Sequence, residues 1–344
     1  MNPSKTLQSH LVCGINAPAD EMKQGKNPHV RVFEFSVHEH PAARAEAQMG
    51  QASSSISLSP ITAIPSLGIT DPEHYQKTAQ FSPDGKLFTV ASTDGRLQLH
   101  RYPSMAPVFS PSIGVISLNE EIYDTDFSHD GRQLAVTTLS RIVIFSTTPQ
   151  TIEGETPTFA PRILQVIEKP VVGSGTGATF RMGKYGRGTA TEVGTKNAFY
   201  ALINARGTKG SKIRPSYVAM WDADTWSWKS SCTISNKPST TMVVSPHGRF
   251  LAVGSSDMCV TLLRARTLQA LLKMNHVHGF PPTCMVFSPN SRMLVSASAD
   301  STVRLTVLPS DLIPGHWISD ELIFVTFFIV MLLMAVLIPH LIHS

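Results

Sequence analysis

Cysteine is scarce in this chain, and its four residues, Cys13, Cys232, Cys259 and Cys284, stand far apart. That excludes a Cys-x-x-Cys zinc site and gives no disulfide framework. Three of the four lie in or beside strand-like runs, where a free Cys serves as a small core residue. An excess of one charge is lacking too. The net charge is +4 over 344 residues, too mild for a dedicated nucleic-acid binder. No helical DNA-reading motif accompanies it. The opening Met1-Asn-Pro-Ser-Lys-Thr-Leu-Gln-Ser-His10 has no apolar h-region, so no secretory signal is visible. No Ser-His-Asp or Cys-His set can be assembled, because nothing in the sequence fixes the partners in space. These absences describe a reducing, cytosol-facing domain with no hydrolase signature, no nucleic acid and no small-molecule substrate.

What the chain has is a phrase repeated four times. Its first copy runs from Phe81-Ser-Pro-Asp-Gly-Lys through Ala91-Ser-Thr-Asp-Gly-Arg-Leu-Gln-Leu99. It returns at Phe127-Ser-His-Asp-Gly-Arg, at Val244-Ser-Pro-His-Gly-Arg and at Phe287-Ser-Pro-Asn-Ser-Arg. Each copy reads as a strand, a tight turn, an apolar strand, a second turn and an alternating strand. Such a unit is one blade of a WD-repeat β-propeller. A blade cannot bury its own faces, so function is expected on a ring of loops.

The fold expected is all-β: a cytosolic WD-repeat propeller over residues 10–310, of the seven-bladed type, with an incomplete first blade. The copies at 81 and 127 are 46 residues apart and those at 244 and 287 are 43 apart, one blade each. Between 127 and 244 lies either a single expanded blade with strands near 163–172, 178–183, 197–204, 216–222 and 226–234, or one such blade plus fragments. Five blades and part of a sixth are visible. Rings of this kind are commonly closed by an N-terminal strand. Residues 11–16 and 29–36 read as two strands of the first blade, joined by Ala17–Pro28, a connection far longer than a usual hairpin loop. The polar stretch 37–60, with Gln51-Ala-Ser-Ser-Ser, reads as a surface insertion.

From Leu322 to Ile338 every residue except Thr326 is apolar, near the lower limit of a membrane span. A propeller has no place for a buried helix of that hydrophobicity. Residues 322–342 are therefore expected to be a transmembrane anchor and 311–321 a juxtamembrane linker. With no upstream signal, the propeller stays cytosolic and the C-terminus emerges in the lumen.

Three further signals are weaker. Gly173-Ser-Gly-Thr-Gly-Ala imitates a dinucleotide fingerprint, but a strand-like Thr179-Phe-Arg follows where a helix is required. The pairs His38-Glu-His40 and His276-Val-His278 put two rings on one strand face, yet no third metal ligand is evident. The stretch 181–214 carries Arg181, Lys184, Arg187, Lys196, Arg206, Lys209, Lys212 and Arg214 against the single acid Glu192. It reads either as a solvated loop pair or as a basic face held against an anionic membrane leaflet. In the second case Arg206, Lys209, Lys212 and Arg214 are the membrane-facing residues, each worth about 1 kcal/mol near such a surface.

Several stretches run in an order that goes beyond a generic WD repeat. They are Thr179-Phe-Arg, Asn197-Ala-Phe-Tyr-Ala-Leu-Ile-Asn, Val218-Ala-Met-Trp-Asp, Asp224-Thr-Trp226, Val244 to Asp257, His278-Gly-Phe-Pro-Pro-Thr and Ser296-Ala-Ser-Ala-Asp300. With the terminal apolar span, the chain resembles the Sec-twelve family, which includes the prolactin regulatory element-binding proteins. These are endoplasmic-reticulum membrane propellers.

The resemblance implies guanine-nucleotide exchange on a Sar-type small GTPase, the step that starts COPII coat assembly. This is non-covalent catalysis rather than an enzyme reaction. In the family a glycine-rich first-blade loop, stabilised by potassium, enters the GTPase, and an Asn is its key side chain. Asn27 stands in that place here. Gly25, Lys26 and Pro28 are the neighbouring GTPase-contacting positions, and Gly14 is the position of the potassium loop. An Asn offers amide donors and a carbonyl acceptor, and so competes for the bonds that hold a switch loop around phosphate. The family's glycine run is reduced here to Cys13-Gly14-Ile15-Asn16, and the Ile before the key Asn is missing. The alternative is a membrane-tethered WD-repeat scaffold that binds the GTPase or coat proteins without exchange activity.

Overall fold

The repeated turn is built from side chains, not from glycine alone. In the computed structural model Ser82 donates from its hydroxyl to Asp84, and Asp84 accepts the Lys86 amide at 3.1 Å. Ser128, Asp130 and Arg132 repeat the pattern, as do Ser288, Asn290 and Arg292. The Asp or Asn thus mimics a backbone turn. The next residue must be left-handed: Gly85, Gly131 and Gly248 have φ of 68°, 70° and 70°, and Ser291 takes φ 54° without being glycine.

The structure describes residues 7–39, 54–64, 68–108, 116–148, 161–168, 177–188, 195–207, 213–309 and 312. They form six antiparallel sheets. Blade 1 holds β1 (Leu7–Gly14), β2 (Val30–Glu39) and β3 (Ser54–Ile64), with a short helix α1 (Ala19–Lys23) between the first two. Blade 2 holds β4 (Gln76–Phe81), β5 (Leu87–Ser92), β6 (Arg96–Arg101) and β7 (Ile116–Ser117). Blade 3 holds β8 (Ile122–Phe127), β9 (Gln133–Thr138), β10 (Arg141–Ser146) and β11 (Arg162–Glu168). Blade 4 holds β12 (Ala178–Tyr185), β13 (Ala198–Ala205), β14 (Ser216–Asp222) and β15 (Trp228–Ser235). Blade 5 holds β16 (Ser239–Val244), β17 (Phe250–Ser255), β18 (Val260–Arg264) and β19 (Ala270–Met274), and blade 6 holds β20 (Pro282–Phe287), β21 (Met293–Ser298) and β22 (Val303–Val307). First strands neighbour first strands, β1 to β4 to β8 to β12 to β16 to β20.

The core is the set of faces between blades. Phe127, Leu134 and Val143 of blade 3 pack with Leu97 and Leu99 of blade 2. Ile142 and Ile144 pack with Phe180, Phe199 and Ile203 of blade 4. Leu202 and Val218 pack with Met242, Leu251 and Val253 of blade 5. Phe250 and Leu262 pack with Met285, Phe287 and Leu294 of blade 6.

Several expectations are corrected. The blade count is six among the described residues, not seven. Of the two readings of the long interval after Phe127, one blade plus fragments is the one found: it holds β9 and β10, the fourth strand of blade 3 (β11, expected within 163–172) and one four-stranded sheet. Of the insertion expected over 37–60, residues 40–53 lie outside the described residues, and the two ends are strand. Residues 37–39 end β2 and 54–60 open β3, with Phe35 paired to Leu58 and Phe33 to Pro60. Among the described residues the most N-terminal strand, β1, pairs with β2 in blade 1. Among the described residues no helix is long and apolar enough to cross a membrane. The expected anchor at 322–342 lies outside them, as does the linker at 311–321 except Leu312.

Candidate functional site

The connection between β1 and β2 is a folded loop. Helix α1 buries Met22 beside Val30, Ile69, Phe88 and Val90, which docks the loop on blades 1 and 2. The helix ends at Gly25, whose φ of 74° suits glycine. There the Gly25 and Lys26 amides donate to Met22 and Glu21 carbonyls, both at 2.9 Å. Gly25 and Lys26 are exposed at the tip, and Pro28 is half-buried.

Asn27 is buried, with 2% of its surface exposed. Its Oδ1 accepts the Ala17 amide at 2.9 Å, and its Nδ2 donates to the Ile69 carbonyl at 3.3 Å and to Asn16 Oδ1 at 3.4 Å. Asn16 donates in turn to the His74 carbonyl at 2.9 Å. The Asn27 carbonyl accepts from the His29 amide at 2.8 Å, and buried His29 has its pKa lowered chiefly by desolvation. Asn27 therefore ties both ends of the loop to the chain before blade 2. The sequence suggested a protruding side chain; the structure gives one facing inward.

Gly14, the expected potassium-loop position, ends strand β1. The left-handed backbone that turns successive carbonyls toward one ion is absent there: Gly14 pairs with Val30 in the β1–β2 ladder, and Ile15 donates to the His29 carbonyl at 2.9 Å. A Cβ at Gly14 would lie 2.5 Å from Gln76 Cδ, so a larger residue there would displace the Gln76 side chain. The nearby amide oxygens of Asn16 and Asn27 already accept N–H bonds. This oxygen set does not fit a bound potassium ion.

The basic stretch divides into two parts. Lys184 Nζ lies 2.8 Å from Asp124 Oδ1, and Arg187 lies 2.7 Å from Asp126 Oδ1, tying β12 and the residues just after it to β8. The Gly183 and Tyr185 amides donate to the same two carboxylates at 3.3 and 2.8 Å. Burial pushes the Asp124 carboxyl up to about 6, against the opposing pull of Lys184. Arg181 donates to the Thr240 carbonyl at 3.2 Å and stacks over Tyr123. These three cations fasten blades together and do not form an outer basic face. Arg206 and Arg214 do face outward, lining a shallow cleft of about 440 Å³ with Thr179, Asn204 and Pro238. Lys209 and Lys212 lie outside the described residues.

Of the four paired histidines, His278 has a structural role. His278 is buried between Thr302 Oγ1 at 2.7 Å and Ser296 Oγ at 2.8 Å. Asp300 accepts from the Thr302 hydroxyl and the Gly279 amide, each at 2.6 Å, and its pKa is held low chiefly by that hydroxyl bond. His38 lies on β2, and His40 is outside the described residues. No group of three or more metal-ligating side chains occurs among the described residues.

Comparison with known proteins agrees with this geometry. The family described as "WD domain, G-beta repeat" matches residues 270–306. No curated protein matches the sequence. Among solved structures, the β-propeller domain of Cps50 (Swd1) from Myceliophteria thermophila is similar, with 11% identity and a TM-score of 0.50. The match covers 71% of this chain and 68% of that one. An identity that low bears on the fold alone. The repeat phrases, the six sheets and the matched repeat together make this chain a WD-repeat β-propeller.

Proposed function

We propose that the chain is a guanine-nucleotide exchange factor for a Sar-type small GTPase. In this reading residues 322–342 hold it in the endoplasmic-reticulum membrane, with the propeller cytosolic, where it starts COPII coat assembly. The observation carrying the proposal is the ordered set of Sec-twelve-like stretches over residues 178–308. A folded first-blade loop with an exposed tip at Gly25 and Lys26 supports it.

Exchange requires no covalent step. A propeller that binds the nucleotide-free GTPase more tightly than the loaded form must weaken nucleotide binding by the same factor. A docked loop concentrates that difference at the switch segments. Lys26 is the side chain offered to the GTPase. Asn27 acts through the loop, holding the tip in one geometry by the bonds to Ala17, Asn16 and Ile69. No step is routed through potassium.

The second reading is a membrane-tethered scaffold that binds the GTPase or coat proteins without exchange. The burial of Asn27 favours it, because a side chain occupied within its own loop cannot compete for bonds in a partner. The test is release of fluorescent GDP from a Sar-type GTPase in the presence of the full chain in liposomes. Acceleration by the wild type, lowered about tenfold or more by Lys26→Ala with an unchanged melting temperature, supports exchange. Binding without acceleration selects the scaffold.

A further inference from the structure

The junction of blades 4 and 5 carries a cleft of about 440 Å³ whose charged lining residues are both cations, Arg206 and Arg214. Local structure sets them side by side. β13 ends at Ala205 and β14 begins at Ser216, and the Ala205 amide donates to the Pro215 carbonyl at 2.9 Å. Arg206 and Arg214 therefore stand at the stem of that hairpin. A Cβ at Gly207 would lie 2.5 Å from the Ile213 carbonyl oxygen, so glycine there lets the two passages of chain run close. The Arg206 amide donates to the Gly177 carbonyl at 2.9 Å, and the Arg214 amide to the Asn236 carbonyl at 3.0 Å. Each arginine is thus anchored by its backbone, yet exposed. Asn204 fastens the cleft to blade 5: its Nδ2 donates to the Ser239 carbonyl at 2.9 Å and its Oδ1 accepts the Ser239 amide at 2.8 Å. The Thr179 hydroxyl donates to the Asn204 carbonyl at 3.3 Å. With those groups engaged inside the fold, the guanidinium forks, five donors each, are what the cleft offers. Lys184 and Arg187 of the same basic stretch are each neutralised by a carboxylate. Among the described residues no acidic side chain lines the cleft.

We propose that this cleft binds a phosphorylated polyol, dissolved or carried as the headgroup of a lipid. Guanidinium forks match the paired oxygens of a phosphate, and such charge-assisted bonds are about twice as strong as neutral ones. The volume of about 440 Å³ lies within the range of small-ligand sites. It exceeds what a bare phosphate fills, so the ligand has a polar body beside its phosphate. No aromatic ring lines the cleft among the described residues, which removes the stacking platform that favours a nucleotide base. The site does not rest on nucleotide exchange, since none of its residues belongs to the Gly25–Lys26 tip.

The test titrates inositol bisphosphate, as the soluble probe, into the full chain in detergent and measures binding by calorimetry. A parallel arm holds the full chain in phosphatidylcholine nanodiscs with or without phosphatidylinositol monophosphate. It reads hydrogen exchange at residues 204–207 and 213–216. Saturable binding of the soluble probe without protection in the lipid-bearing discs assigns a dissolved ligand; protection in those discs assigns the lipid. In whichever arm responds, Arg206→Gln and Arg214→Gln each weaken binding at least about tenfold, with the melting temperature unchanged. Arg214→Lys keeps the charge but loses the fork, and it weakens binding as well. Lys229→Ala removes a cation at the other end of blade 4 and leaves binding unchanged. An equal loss in Lys229→Ala, or full binding by Arg214→Lys, would reveal a diffuse electrostatic field and overturn the proposal. So would the absence of a response in both arms, or binding indifferent to both glutamine substitutions.

Discussion

The contact between blades 3 and 4 and the outer faces of blades 1 and 6 are built from the same kind of sheet, yet they differ in every term that stabilises a fold. At the first, Tyr185, Phe199 and Trp226 meet edge to face, and two ion pairs tie blade 4 to blade 3, their carboxylates further bonded by backbone amides. At the second, leucines and valines such as Leu58 and Leu305 are exposed. A propeller's stability resides in contacts between neighbours, so a blade contributes in proportion to the faces it has covered. Blades 2 to 5 have two covered faces; blades 1 and 6 have one.

The largest test of that contrast removes Lys184. Lys184→Ala strands Asp124 as a buried charge, and the expected loss is roughly 3–5 kcal/mol in urea unfolding. Asp124 gives the loss a pH signature. Its folded pKa, about 6, lies above the ordinary carboxylate value. Its contribution is therefore fully present below about pH 4 and lost as pH rises through 6. The Lys184→Ala deficit should accordingly be smaller at pH 5 than at pH 7.5, and a deficit independent of pH would contradict the assignment.

A matched pair of leucines sharpens the same point. Leu202, fully buried between blades 4 and 5, should cost about 2–5 kcal/mol on replacement by alanine. Leu305→Ala, on the exposed face of blade 6, should change thermal stability by no more than about 0.5 kcal/mol. Equal losses would mean that this face is covered in solution.

The smallest effect is a gain. Ser291 occupies the left-handed position that glycine fills in the sister turns. Ser291→Gly should raise stability by roughly 1 kcal/mol, offset in part by the weak 3.5 Å bond that its hydroxyl accepts from the His247 amide. A melting-temperature decrease would show that this bond outweighs backbone strain.

The blade plan was legible wherever the turn opening on Ser82, Ser128, Ser245 or Ser288 recurred, because its serine joins two strands by local hydrogen bonds that need no tertiary context. It marked the strands around Phe81, Phe127, Val244 and Phe287. It failed at β11, which follows a long connection and joins blade 3 by pairing alone. It failed again at β3, where serines alternating with Ile56, Leu58 and Ile61 resemble low complexity until a partner strand assigns them a face. The inward role of Asn27 was not legible either. An Asn before proline reads as a turn, and its partners Asn16 and Ile69 come from opposite sides of the loop. The pairing of Asp124 with Lys184 joins residues on separate blades, and no spacing rule announces it.

The matched repeat, residues 270–306, begins at β19, the outermost strand of blade 5, and ends within β22 of blade 6. The unit of sequence is thus out of phase with the unit of structure by one strand. A chain cut before Ala270 would strip blade 5 of its outer strand, whereas a cut after Met274 would leave that sheet whole. Any shortening or lengthening of this arc by whole sequence repeats carries one strand across a sheet boundary. Growth by duplication is thereby stitched, each added copy completing the sheet of the copy before it.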